Sequence, residues 1–170
     1  MKKLLLLLSI FTLNINCQDI FEAIKTNDIP AVQRLIRAKA DLNIVDNRGM
    51  TALMFAAYCG HANIVTLLID AKADLNIRDN DGWTALMEAA FKGHENIVKL
   101  LINAKADLNR KNNDGKTAKD IARTRGKNGV VEIIQQEEKR IEDKRKADLV
   151  LETLSSTMNP NLIKLICDYI

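Results

Sequence analysis

One 33-residue unit is written twice in succession across residues 46–111, and a tandem repeat of this length leaves few folds open. The first copy, DNRGMTALMFAAYCGHANIVTLLIDAKADLNIR, runs from Asp46 to Arg78. The second, DNDGWTALMEAAFKGHENIVKLLINAKADLNRK, runs from Asp79 to Lys111, and 23 of the 33 positions are identical. A unit so short cannot bury its own apolar faces, so successive units must stack on one another.

Each part of the unit has a physical reading. Asp46-Asn47 and Asp79-Asn80 favour a turn, and Gly49 and Gly82 supply the positive φ that such a turn needs. Thr51 and Thr84 are placed to cap a first helix by accepting from its free amides. Ala56, Ala57, Ala89 and Ala90 are small enough for first helices to approach closely. Ile64, Val65, Leu67 and Leu68, with Ile97, Val98, Leu100 and Leu101, give a second helix an apolar stripe at 3- and 4-residue spacing.

The period continues in both directions. Residues 18–45 align as a degenerate unit, with Ala23, Val32, Leu35 and Lys39-Ala40-Asp41-Leu42-Asn43 in register. Residues 112–138 form a fourth unit through Asn112, Gly115, Thr117, Ala118, Ala122, Gly126, Val131 and Ile134. Lys119, Asp120 and Arg123 stand there in place of Leu53, Met54 and Ala57, so this unit is expected to close the stack.

Thr51-Ala52-Leu53-Met54, Gly60-His61 and Ala73-Asp74, repeated at Thr84-Ala85-Leu86-Met87, Gly93-His94 and Ala106-Asp107, resemble the ankyrin repeat. The resemblance implies an all-α solenoid of helix-turn-helix units joined by β-turn loops, in four repeats (18–45, 46–78, 79–111 and 112–138). It also implies a non-enzymatic scaffold that binds another protein through its concave surface. Transferred to this chain, the contact positions are Arg48, Met50, Tyr58, Arg78, Trp83, Phe91, Lys92 and Lys111, beside Asn47, Cys59, Asn80 and Asp81. Five of the ten differences between the two copies fall there, at Arg48/Asp81, Met50/Trp83, Tyr58/Phe91, Cys59/Lys92 and Arg78/Lys111. Exposed aromatics flanked by Arg and Lys have the composition of a binding hot spot.

Two departures from the family pattern carry expectations. Met54 and Met87 replace a histidine and make that layer apolar. Lys39, Lys72 and Lys105 replace the glycine that ends the second helix, which predicts either positive φ at these lysines or an altered helix end.

The flanks read differently. Met1-Lys2-Lys3 followed by the apolar run from Leu4 to Leu13 has the layout of an export signal, over residues 1–17. Asn14-Ile15-Asn16-Cys17 resembles a loose lipobox, with Asn16 in place of the usual Gly or Ala, so lipidation of Cys17 and ordinary cleavage beside it both stand open. The chain is therefore expected to be secreted, periplasmic or anchored at the cell surface, with membrane contact only through a lipid on Cys17. Delivery into a host cell is a further possibility. The tail, residues 139–170, is expected to be helical, solvated to Leu154 and interrupted at Ser155-Ser156-Thr157. Residues 158–170 are similar to the opening of an F-box. That similarity implies an alternative role as a host-directed adaptor that recruits a ubiquitin ligase; otherwise this last helix would cover the end of the stack.

Other classes find little support. A formal charge of +3 with interspersed signs argues against nucleic acid as partner. Cys17, Cys59 and Cys167 are too few and too scattered for a disulfide framework. His61 and His94 sit at equivalent positions, better suited to helix caps than to a metal, and no catalytic constellation or cofactor motif occurs. A monomer is expected. Mass spectrometry of the mature chain should show an N-terminus at or near Cys17, with or without added lipid; an intact Met1-Lys2-Lys3 terminus would end the export reading.

Overall fold

The computed structural model describes residues 17–157, so the export signal through Asn16 and the F-box-like stretch 158–170 lie outside the described residues. Among the described residues eight helices follow in order: α1 Cys17–Lys25, α2 Ile29–Arg37, α3 Ala52–Cys59, α4 Ala62–Asp70, α5 Ala85–Lys92, α6 Glu95–Asn103, α7 Ala118–Thr124 and α8 Asn128–Thr157. Among the described residues there is no strand, only an isolated bridge between Val45 and Thr51. The chain is an all-α stack of helix pairs, with two compact units meeting between Ile134 and Gln135.

The first helices α3 and α5 start where the threonines stop the turn. Thr51 and Thr84 have extended backbones, and their hydroxyls accept from the Met54 and Met87 amides at 3.2 and 3.4 Å. The Met54 thioether in turn accepts from the Thr51 amide at 3.4 Å, so this apolar layer also closes the cap. In α7 the same exchange is made by charge, because the Asp120 carboxylate accepts from both the amide and the hydroxyl of Thr117. Those bonds hold the Asp120 carboxyl below its ordinary range. Asp120 is thus a capping group as well as a mark of the last repeat.

Packing follows the expected seam. Ala56, Ala57, Ala89, Ala90 and Ala122 are fully buried, as are Ile64, Val65 and Leu68 of α4 and Val98 and Leu101 of α6. Gly60 ends α3 at φ 84°, and a Cβ there would meet the His94 ring at 2.9 Å. His61 and His94 do occupy the N-cap positions of α4 and α6, but neither side chain makes a capping bond. His94 reaches back instead, its Nε2 lying 3.2 Å from the Tyr58 carbonyl oxygen of the preceding repeat. The His94 ring fills the space that the missing Cβ of Gly60 leaves open.

Asparagines tie each turn to the next. The Asn80 amide donates to the Arg48 carbonyl at 3.0 Å, and its side chain to the Asn47 carbonyl at 3.3 Å. Asn113 repeats both bonds, to the carbonyls of Asp81 and Asn80, each at 3.0 Å. Below them, the Asn43 and Asn76 side chains accept from the Asp74 and Asp107 amides at 2.9 Å. A Cβ on Gly82 would strike this ladder at Asn113, whereas one on the equivalent Gly115 would meet nothing within 4 Å.

From Gln135 the chain forms a separate unit, helical as expected and laced by pairs such as Arg140–Glu137 and Lys146–Glu142. Helix α8 runs unbroken to Thr157, so Ser155 and Ser156 do not interrupt it. Serine in a helix interior costs only a few tenths of a kcal/mol relative to alanine, roughly, too little to break a long helix.

Lys39, Lys72 and Lys105 have φ of 56°, 66° and 71°, the first of the two predicted alternatives. Each lets the following alanine amide bond back to a leucine carbonyl five residues earlier, which closes the second helix. Replacing Lys72 with glycine should therefore raise the unfolding free energy by about 0.5–1 kcal/mol in urea titration. No gain, or a loss, would show that the left-handed turn is unstrained.

Candidate functional site

The turns present alternating polar and apolar residues by a fixed hydrogen-bond scheme. Asp46 Oδ1 accepts from the amides of Arg48 and Met50, both at 2.9 Å, and Asp79 Oδ1 accepts from Asp81 at 3.0 Å and Trp83 at 2.7 Å. The fifth residue of each turn thus faces the first helix, and its size decides its fate. Met50 is only 5% exposed and belongs to the core, so it is removed from the exposed contact positions. A flexible, unbranched side chain fits beneath the turn. The bulkier Trp83 stays half-buried and packs edge-on against Phe91, with ring centroids 5.5 Å apart.

Cations complete the surface. Lys92 Nζ lies 4.0 Å from the centre of the Tyr58 ring, and the Arg125 guanidinium lies 4.2 Å from that of Phe91. In both pairs the cation comes 34 residues after the aromatic, from the next repeat, so the contact is one motif used twice. Arg125 was not among the expected contact positions, yet it is the residue one period beyond Lys92. Trp83, Phe91, Ile121 and Arg125 border a cleft of about 180 Å³, with Asn112, Asp114 and Lys116 on its turn side.

The remaining expected positions are placed as follows. Tyr58 is 39% exposed. Arg48 is exposed and paired with Asp46 at 3.1 Å. Arg78 is exposed and donates to the Gly82 carbonyl at 3.1 Å and to Asn113 Oδ1 at 3.0 Å, while Lys111 is exposed. Asn47 and Asn80 belong to the ladder between turns. Cys59 is half-buried and its thiol is pushed up by burial, partly offset by Lys92, which disfavours the reactive thiolate.

One residue on α5 breaks the pattern of its position. Glu88 stands where the preceding repeat has half-buried Phe55 and the following one buried Ile121, and it is only 8% exposed. Burial pushes its carboxyl up to about 7, with Asp79 adding to the shift and Arg48 and Lys92 opposing it. The Phe55/Glu88 difference between the copies is the signal that would have revealed it.

A family model for ankyrin repeats, in three copies, matches residues 20–112 and 76–148. The chain belongs to the ankyrin repeat family. Ankyrin repeats serve in general as modules that bind other proteins. No curated protein matches the chain.

The Glu88 carboxyl sets a pH dependence whose sign is fixed. Between the ordinary value of 4.5 and about 7, the folded chain holds a proton that the unfolded chain has released. Stability should therefore fall as pH rises through that window and level off above it. Glu88→Leu should raise the unfolding free energy at pH 8 by on the order of 1–3 kcal/mol and flatten the slope. Denaturant titrations at pH 5 and pH 8 test this, and equal slopes for the two proteins would contradict it.

Proposed function

We propose that this ankyrin array is a non-enzymatic scaffold that binds a partner protein through its turns and first helices, with Tyr58, Trp83 and Phe91 as the apolar contacts. The observation that carries this reading is the pair of cation–aromatic contacts. Arg125 rests on the Phe91 ring at the edge of a surface cleft and Lys92 rests on the exposed Tyr58 ring, so less side-chain freedom is lost when a partner packs on these rings. Rigid aromatics beside cationic groups are the side chains that dominate binding energy at protein interfaces. The sequence layout of the first 17 residues supports an encounter outside the compartment of synthesis.

Trp83→Ala combined with Tyr58→Ala should weaken capture of a partner by more than about tenfold, since truncated hot-spot residues commonly lose 2 kcal/mol or more each. The circular dichroism spectrum should stay that of the parent. Undiminished capture by the folded double variant would place the contact elsewhere.

A further inference from the structure

Glu88 is a poor choice for the stack that contains it. The same position is Phe55 one repeat earlier and Ile121 one repeat later, so the period itself shows that an apolar residue fits. In the first repeat the position is also acidic, but Glu22 is exposed and paired with Lys25 at 3.3 Å. Glu88 has neither relief. Among the described residues its carboxylate has no hydrogen-bond or ion-pair partner, and no polar side-chain atom is both sealed from solvent and unpartnered. Its oxygens therefore meet solvent only through the narrow opening that leaves the residue 8% exposed.

The charges that reach it are Arg48 and Lys92, with Asp79 opposing them. Both cations are committed elsewhere. Arg48 pairs with Asp46, and Lys92, one helical turn after Glu88, rests on the Tyr58 ring. A carboxylate held in a low-dielectric site without a counter-ion is costly, and a cation brought by another molecule relieves that cost. Departures from local packing rules that give the fold no gain are expected at functional positions.

We propose that Glu88 is the anionic anchor of the partner-binding surface, accepting a lysine or arginine side chain that the partner inserts through this opening. The inference rests on the reading of the turns and first helices as the binding face, and it names the chemistry of what that face takes. Since the partner's cation requires the ionised carboxylate, binding and protonation of Glu88 compete. For a carboxyl raised to about 7, affinity falls about tenfold between pH 8 and pH 6.

The test uses a displayed random-peptide library selected at pH 8 against the full chain. Recovered peptides are then measured against the parent, Glu88→Gln, and the Trp83→Ala/Tyr58→Ala double variant. Peptides that need Trp83 and Tyr58 should carry Lys or Arg and lose at least about tenfold with Glu88→Gln, the loss of a charge-assisted contact. They should also weaken about tenfold from pH 8 to pH 6 on the parent but not on Glu88→Gln. Replacing the peptide's basic residue with Gln should cost nothing further in the Glu88→Gln background. Peptides that depend on Trp83 and Tyr58 yet ignore Glu88→Gln overturn the anchor and leave the surface standing. A Glu88→Gln loss that persists without the peptide's basic residue also overturns it, because the carboxyl is then acting on the fold. If no peptide depends on Trp83 or Tyr58, the surface itself is wrong and the anchor falls with it.

Discussion

The close approach of one first helix to the next is the constraint on which this molecule depends. Ala56 and Ala57, Ala89 and Ala90, and Ala122 are all sealed, and nothing larger would leave the helices at that separation. Because each repeat contacts only its neighbours, this seam must be rebuilt at every step. The turns are then fixed by the asparagine bonds, and the second helices by their leucine and isoleucine stripe.

With the stack so fixed, the turn-and-helix face is where side chains vary without disturbing the core. Its cations serve the protein first. Arg48, Lys92 and Arg125 each contact a carboxylate or an aromatic ring of the chain itself. The face is less basic toward a partner than its composition suggests, and the one carboxyl buried in it, at Glu88, has no ion-pair partner of its own among the described residues.

Much of this was legible in the sequence, because stacking imposes a period and the period exposes its exceptions. The capping threonines and the alanine seam follow from comparing residues one repeat apart. The family resemblance narrows the lysines that end the second helices to two alternatives, of which the structure takes positive φ. The less legible features depend on contacts between repeats. Lys92 meets Tyr58 and Arg125 meets Phe91 one position off the period, which in-register comparison of copies does not reveal. Met50 and Trp83 share a position but not an exposure, because side-chain volume decides what fits under the turn. His94 left its own helix for the carbonyl of Tyr58 because Gly60 opened the space.

The asparagine ladder carries one more consequence. Each turn offers carbonyls on one side and amides on the other, so Asn47 and Arg48 receive Asn80 just as Asn80 and Asp81 receive Asn113. Such a head-to-tail interface has no symmetry axis that would close it. Whatever copy is spliced between Arg78 and Asp79 inherits a docking edge on both sides, provided it keeps its asparagine and its glycine. For a gene encoding this chain, the number of units is open to change by duplication, while the alignment between units is not.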